Sequence, residues 1–357
     1  MAEDARKISL EDAEYKRRSP LADAFVRLIK EKPLGVFGAV VVLILLLVGI
    51  FADYIAPFGF NEMNLAKRLS PPSAEYLLGT DHLGRDLLSR IIYGARISMY
   101  VSLGVSGLCI LIATMIGTIS GYWSGMVDTF IQRFVDGWMC LPALFLILMI
   151  MAVVGPGIVQ VIVVLGALQG VAGSRVIRSA VIAIKENQYV FASKGVGARM
   201  RTILFRHILP NVMGPIIILF TVNMGAAIIA EATISFLGFG IPPPTPSWGG
   251  MLSESGRRYM LQAPWMALWP GFALALVVYG INMLGDAFRD ILDPRLRGRL
   301  GRYGRGKADD SSAGEAEAEG SSRTRIRGEQ SVEKAPIAGV DRGPGIKGGH
   351  RLESKDV

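Results

Sequence analysis

Residues Gly137–Ser174, GWMCLPALFLILMIMAVVGPGIVQVIVVLGALQGVAGS, contain no charged side chain. A helix crosses the hydrocarbon core of a bilayer, about 30 Å thick, with about 20 apolar residues. This stretch is too long for one crossing, and Gly155, Pro156 and Gly157 interrupt it midway. Proline lacks the amide proton and glycine favours turns, so two helices with a tight re-entry are expected, the third and fourth of the chain.

Four further runs complete the pattern. The first is Pro33–Ala52, rich in Val, Leu and Ile. A second helix fits near 97–120, between Arg96 and Asp128. The fifth covers about Val212–Phe236 and the sixth about 267–288, with Trp265 and Trp269 at its start, where an interfacial aromatic belt would sit. Backbone polar groups cannot be left bare in lipid, so runs this long and apolar span as helices. The alternating ten-residue segments of a β-barrel are absent. The expected fold is an all-α membrane protein with six transmembrane helices.

Composition agrees. Of 357 residues, 51% are hydrophobic and 19% charged, against about a quarter charged in soluble domains. Charge gathers at the ends and beside the apolar runs, the pattern of a membrane domain with polar extensions. The net charge of +8 therefore speaks for membrane topology and lipid contact, and no basic–aromatic interleaving points to nucleic acid. Cys109 and Cys140 both fall in apolar runs and read as small buried hydrophobes; two isolated thiols make neither a disulfide framework nor a zinc site. Residues 1–32 mix acids and bases and lead into a run long enough to span, without a small-residue cleavage site, so they read as a cytoplasmic segment before an uncleaved first helix. No internal repeat is evident.

Lysine and arginine set the orientation. Between helices four and five stand Arg175, Arg178, Lys185, Lys194, Arg199, Arg201 and Arg206 against the single acid Glu186. Seven more bases, from Arg289 to Lys307, follow helix six. The segment between helices one and two is balanced, with Lys67, Arg68, Arg85 and Arg90 against Glu62, Glu75, Asp81 and Asp86. The positive-inside rule then places both termini and residues 175–211 in the cytoplasm. The membrane domain is expected over 33–298. From about Arg299 to Val357, Gly, Ser, Glu, Lys and Arg dominate, and a disordered cytoplasmic tail is expected. Gly301–Lys307 fits most of a phosphate-loop pattern, but Ala308 replaces the Ser or Thr that would bind magnesium and no strand precedes it, so no nucleotide site is expected there.

The segment Tyr189–Asn211, YVFASKGVGARMRTILFRHILPN, reads as two short helices lying across the membrane surface, with a bend at Gly195 and Gly197 and a stop at Leu209-Pro210. It resembles the coupling loop of ABC importer permeases: Glu-Ala-Ala, three residues, Gly, nine residues, then Ile-x-Leu-Pro. Ala192, Gly197, Leu209 and Pro210 match with the spacing kept; Phe191, Ser193 and His207 stand where the pattern has Glu, Ala and Ile. Phe191 removes the carboxylate that the family pairs with a base on its ATPase. The resemblance thus implies docking by packing across about 186–211, through Ala192, Ser193, Gly197, Leu209 and Pro210, with Arg199, Arg201 or Arg206 as polar contacts.

Three more stretches narrow the resemblance to the second permease type of the oligopeptide, dipeptide and nickel importers. They are Leu78–Arg90 (LGTDHLGRDLLSR) with Gly94–Ser98, Ser235–Gly240 with Pro242–Gly249, and Gly285–Arg295. It implies a type I ABC importer permease in a bacterial inner membrane, forming half of a translocation path. Its expected partners are a homologous permease subunit, two ATPase subunits that bind the ATP and Mg (none in this chain), and an extracytoplasmic solute-binding protein. Dipeptides, oligopeptides, nickel or an opine-like solute all fit. The proline-rich 242–246 run reads either as a rigid connector or as a surface for that binding protein.

Glu231 is the one carboxylate well inside an expected span, near the outer end of helix five. It reads either as a residue of the path or outer gate, or as a structural hydrogen-bonded carboxylate. Two other classes of membrane protein would leave different residues in the spans. An ion-coupled carrier acting without an ATPase would bury several ionisable groups at mid-membrane. An intramembrane protease would need histidines inside spans, whereas His82, His207 and His350 lie outside them.

Overall fold

The computed structural model describes residues 32–253 and 257–292. The expected N-terminal segment up to residue 31, the 299–357 tail and the false phosphate loop lie outside the described residues. Nine helices carry the argument: α1 Pro33–Ile50, α2 Leu87–Trp123, α3 Met126–Met139, α4 Ala143–Val154, α5 Ile158–Lys185, α6 Gln188–Gly195, α7 Met213–Phe236, α8 Trp248–Met251 and α9 Trp265–Leu292. Five of them, α1, α2, α5, α7 and α9, are long and apolar enough to cross a membrane; α3 and α4, which meet at a bend of 85°, reach that length and apolarity only together, which gives up to six crossings. No β-strand occurs among the described residues.

Spans one, five and six lie close to where the sequence puts them. Span two starts ten residues earlier, at Leu87, because the Asp86 carboxylate caps it by accepting the Ser89 N–H at 2.7 Å. Span three differs most. The expected helix from Gly137 is instead a short α4 of 12 residues, about 18 Å long and unable to cross alone. The amphipathic α3 precedes it at 85°, and the chain turns at Cys140, Leu141 and Pro142, where proline ends the hydrogen-bond ladder. Cys109 is buried as expected, but Cys140, at this turn, is exposed. Span four runs past Ser174 to Lys185, so Arg175 and Arg178 are helical rather than part of a loop.

Packing rests on close backbone approach. A Cβ on Gly38 of α1 would stand 2.4 Å from the Gly280 carbonyl of α9, and one on Gly117 of α2 would stand 2.6 Å from the Ser174 carbonyl of α5. Without a hydrophobic driving force between lipid-bathed helices, such small-residue contacts carry association through van der Waals packing. The chain ends of the spans gather on two faces. On one, Gly157 N–H bonds the Gly240 carbonyl (3.1 Å) and Trp265 Nε1 donates to the Thr80 carbonyl (3.3 Å). On the other, Lys185 Nζ donates to the Tyr122 carbonyl (2.6 Å), and Lys32 pairs with Asp290 (2.6 Å). Trp265 thus serves a protein contact rather than only a lipid belt.

Candidate functional site

The second face carries the segment between α5 and α7. Helix α6 ends in a left-handed turn: Gly197 has φ +75°, its N–H donates to the Lys194 carbonyl (3.0 Å), and Ala198 N–H donates to the Ser193 carbonyl (3.0 Å). These two bonds form a Schellman cap, which glycine accepts without a Cβ penalty. Of the two glycines expected at the bend, Gly197 makes it, whereas Gly195 is an ordinary last residue of α6. Met200–Thr202 opens a second short helix that widens to a π-turn over Ile203–Ile208 and closes in a 3₁₀ turn, Leu209–Asn211. The Pro210 ring would clash with the carbonyl four residues back in an α-helix, which accounts for the change of pitch.

One side of this knob is anchored. Val190, Ile203, Ile208 and Val212 pack with Ala113 of α2, Ile177 and Val181 of α5 and Ile216 of α7. The other side is exposed, with Val196 at 86%, Phe205 at 68% and Phe191 at 56%. Among the candidate residues, Ala192, Gly197, Arg199 and Pro210 are exposed, while Ser193 and Leu209 are half-buried. The structure therefore brings all six onto one element. It also joins two of the three departures from the family pattern: Ser193 Oγ lies 3.3 Å from His207 Nε2, tying α6 to the second helix. The third, Phe191, lies under the Lys194 ammonium, 5.7 Å from its ring centroid.

Glu231 lies apart, on the first face. It is buried on α7, and Ser235 Oγ donates to its Oε1 at 2.7 Å while accepting the Ile241 N–H at 3.2 Å. Its Oε2 is buried and has no hydrogen-bond partner by distance and angle, although the Ser247 hydroxyl is close enough to act on the carboxylate. A cavity of about 140 Å³ beside it is lined by Arg90, Ser235, Thr245 and Ser247 among others. The loop carrying Ser247 folds back between the spans. Pro242–Pro244 are exposed, but Trp248 is buried, and its Nε1 donates to the Ile91 carbonyl of α2 at 3.1 Å.

The 78–90 motif closes this face. The Asp81 carboxylate accepts from Leu83 N–H (2.8 Å), Arg85 N–H (2.9 Å) and Arg85 Nε (2.6 Å), and Arg90 stands 3.7 Å away. Arg90 also reaches the carbonyls of Phe60 (3.1 Å) and Pro244 (3.4 Å). Removing one member of such a buried, hydrogen-bonded charge pair costs about 3–5 kcal/mol.

The sequence comparisons fit this arrangement. Residues 113–298 match the family described as "Binding-protein-dependent transport system inner membrane component". The chain belongs to this family. Residues 19–72 also match "N-terminal TM domain of oligopeptide transport permease C". The dipeptide transport system permease protein DppC of Alkalihalophilus pseudofirmus is 38% identical over 284 residues, covering 80% of this chain and 93% of that protein. The oligopeptide transport system permease protein OppC of Bacillus subtilis is 35% identical over 296 residues, 83% of this chain and 95% of that protein. The glutathione transport system permease protein GsiD of Pectobacterium atrosepticum is 35% identical over 281 residues, 78% of this chain and 93% of that protein. The chain is thus an ABC permease of type I architecture, and the carrier without an ATPase is set aside.

In this permease, sequence reasoning missed the charges of α3. Asp128 and Asp136 meet Arg178 and Arg175 of α5. The signal was available as Asp128, Gln132 and Asp136 at a spacing of four, but it fell outside the uncharged window in which span three was sought.

Proposed function

We propose that this permease forms half of the path of an ATP-driven importer of peptides or similar solutes, with the knob at 186–211 as the cytoplasmic handle of separate ATPase subunits. A homologous permease would supply the other half, and an extracytoplasmic binding protein would deliver solute to the face of Glu231. The observation that carries this reading is the Schellman-capped knob. It is anchored on α2, α5 and α7, yet presents Phe191, Val196 and Phe205 outward beside Arg199, Arg201 and Arg206. Exposed apolar residues rimmed by polar ones are what a protein contact requires.

Both termini are cytoplasmic in this reading. Because the knob is fixed to three spans, a force on it moves the path. ATP binding must favour one arrangement of the spans over the other for the cycle to turn. Glu231 serves the outer gate: its burial between α7 and the Ser247 loop lets a change in either be felt by the carboxylate. The relatives named for dipeptide, oligopeptide and glutathione transport support a peptide solute.

The test is Gly197→Glu in the reconstituted complex. ATP hydrolysis is expected to continue while uptake is lost, since the side chain both strains the left-handed turn and fills open space where the partner would sit. Normal uptake would argue against docking at this point.

A further inference from the structure

The first face carries exposed apolar side chains that neither the knob nor Glu231 uses. Leu65 and Leu77, between α1 and α2, are 66% and 60% exposed. Met260 and Leu261, in the turn before α9, are 61% and 100% exposed.

The fold brings these distant stretches together. A Cβ on Gly84 would collide with the Asn64 carbonyl, so the chain at Leu65 lies against the turn at His82. The His82 ring stacks on Tyr259, next to Met260, with centroids 5.7 Å apart. Gly79, two residues after Leu77, packs on the Trp265 indole, whose Nε1 donates to the Thr80 carbonyl. Lys67 Nζ stands 3.8 Å from Glu75 Oε2 and joins the chain near Leu65 to the chain near Leu77. All four apolar side chains thus surround one junction.

The backbone beneath them is held. Buried Thr80 donates through Oγ1 to the Lys67 carbonyl (2.5 Å) and accepts the Ser70 N–H (2.9 Å), while Leu69 N–H donates to the Asp81 carbonyl (3.0 Å). Phe58 stacks on buried Tyr76, beside Leu77, with centroids 5.3 Å apart. A surface preorganised in this way loses little freedom when it binds.

Water bathes this surface. Glu62, Lys67, Arg68 and Glu75 are exposed within three residues of the two leucines, and exposed Arg258 stands two residues before Met260. Charges so placed do not face hydrocarbon. Apolar side chains rimmed by charge in water mark a protein contact.

The surface is continuous with the outer gate. Arg90 Nη1 reaches the Phe60 carbonyl, at the start of this stretch, and the Pro244 carbonyl of the exposed proline run. Arg90 also lines the cavity beside Glu231. A protein resting on Leu65 and Leu77 would therefore extend over Pro242–Pro244 and that cavity. The family description names a binding protein as what transport depends on, and the protein that hands over solute has to sit over the gate.

We propose that Leu65, Leu77, Met260 and Leu261 form the seat of the extracytoplasmic solute-binding protein, with the proline run at its margin. This rests on the import reading and names the surface which that reading leaves open.

The experiment uses the complete transport complex in nanodiscs with the solute-binding protein of the same system. Leu65→Glu and Leu261→Glu are each expected to raise the binding-protein concentration that half-stimulates ATP hydrolysis at least about fivefold, the effect of losing an interface hot spot. The basal rate and the stimulated plateau should stay as in the wild type. The uncharged Leu77→Ser should shift the same concentration less. In a Cys109→Ser/Cys140→Ser background, the Leu65→Cys variant should react with a water-soluble thiol reagent and be shielded by the binding protein. Unchanged half-stimulation in both Glu variants overturns the proposal and leaves the import reading standing. Loss of the homologous permease from the purified Leu65→Glu complex overturns it by giving the surface to that subunit. A Leu65→Cys variant that stays unreactive without the binding protein overturns it by placing the surface in lipid. If the wild-type complex is not stimulated by the binding protein at all, the import reading fails and the seat falls with it.

Discussion

Replacing Gly197 by alanine adds one methyl group, and that methyl meets no atom within 4 Å. Its whole effect inside the chain is therefore conformational. Gly197 sits at φ +75°, where an L-residue is disfavoured by about 1–2 kcal/mol. The Schellman bonds from Gly197 and Ala198 hold only in that conformation, so the cost falls on the cap of α6 and on the exposed tip at Val196. Gly195, two residues earlier, supplies the control. It lies within α6, also with nothing within 4 Å of its Cβ and with no left-handed φ, so alanine there favours the helix by about 0.5–1 kcal/mol. The same chemical change at the two positions should thus have opposite signs. Amide hydrogen exchange of Gly197 and Ala198 in the detergent-solubilised complex reads the difference directly: roughly 5- to 30-fold faster exchange in Gly197→Ala, by conversion of that energy, and slower or unchanged exchange in Gly195→Ala. The ratio of uptake to hydrolysis should fall only in the first. Exchange moving the same way in both variants would refute the assignment of the bend to Gly197.

Other positions give independent checks. Gly249→Ala puts a Cβ 2.2 Å from the Ala232 carbonyl oxygen and 2.5 Å from its Cα, backbone that cannot swing aside, and should cost about 1–3 kcal/mol in thermal unfolding; Gly250→Ala, at 3.0 Å from only the Ser247 hydroxyl, should cost less. Glu231→Gln should lower uptake at equal membrane abundance, and unchanged uptake would reduce the residue to a structural role. The Arg96 side chain, hydrogen-bonded to Asp53, holds that carboxyl below its ordinary value of 3.8. The folded value is the lower one, so the contact stabilises the protein above the ordinary value and is lost as pH falls through the folded one; Asp53→Asn should remove this contribution, read as a smaller fall of the thermal unfolding temperature on acidification through that range. The Ser193→Ala/His207→Ile double variant should couple better than either single variant, since each single change leaves the other polar group without its partner.

The readable parts of the fold were those decided within one helix. Pro33–Ile50 and Met213–Phe236 carry enough apolar residues to announce themselves, and the Gly155–Gly157 break separates α4 from α5 as expected. Span three was hidden because the acids of α3 are offset by arginines of α5, a pairing that no window along one segment reveals. At the knob, Gly197 and Pro210 were legible because each acts through its own backbone. Ser193 and His207 looked like unrelated departures, since their contact needs the fold that places them together.

The handle is tested most directly at Val196, its most exposed large apolar residue. With Cys109 and Cys140 replaced by serine, Val196→Cys should react with a membrane-impermeant thiol reagent in inverted vesicles, stay unlabelled in right-side-out vesicles, and be shielded when ATPase subunits are added. Labelling from the outer side, or labelling indifferent to the ATPase, would contradict the account.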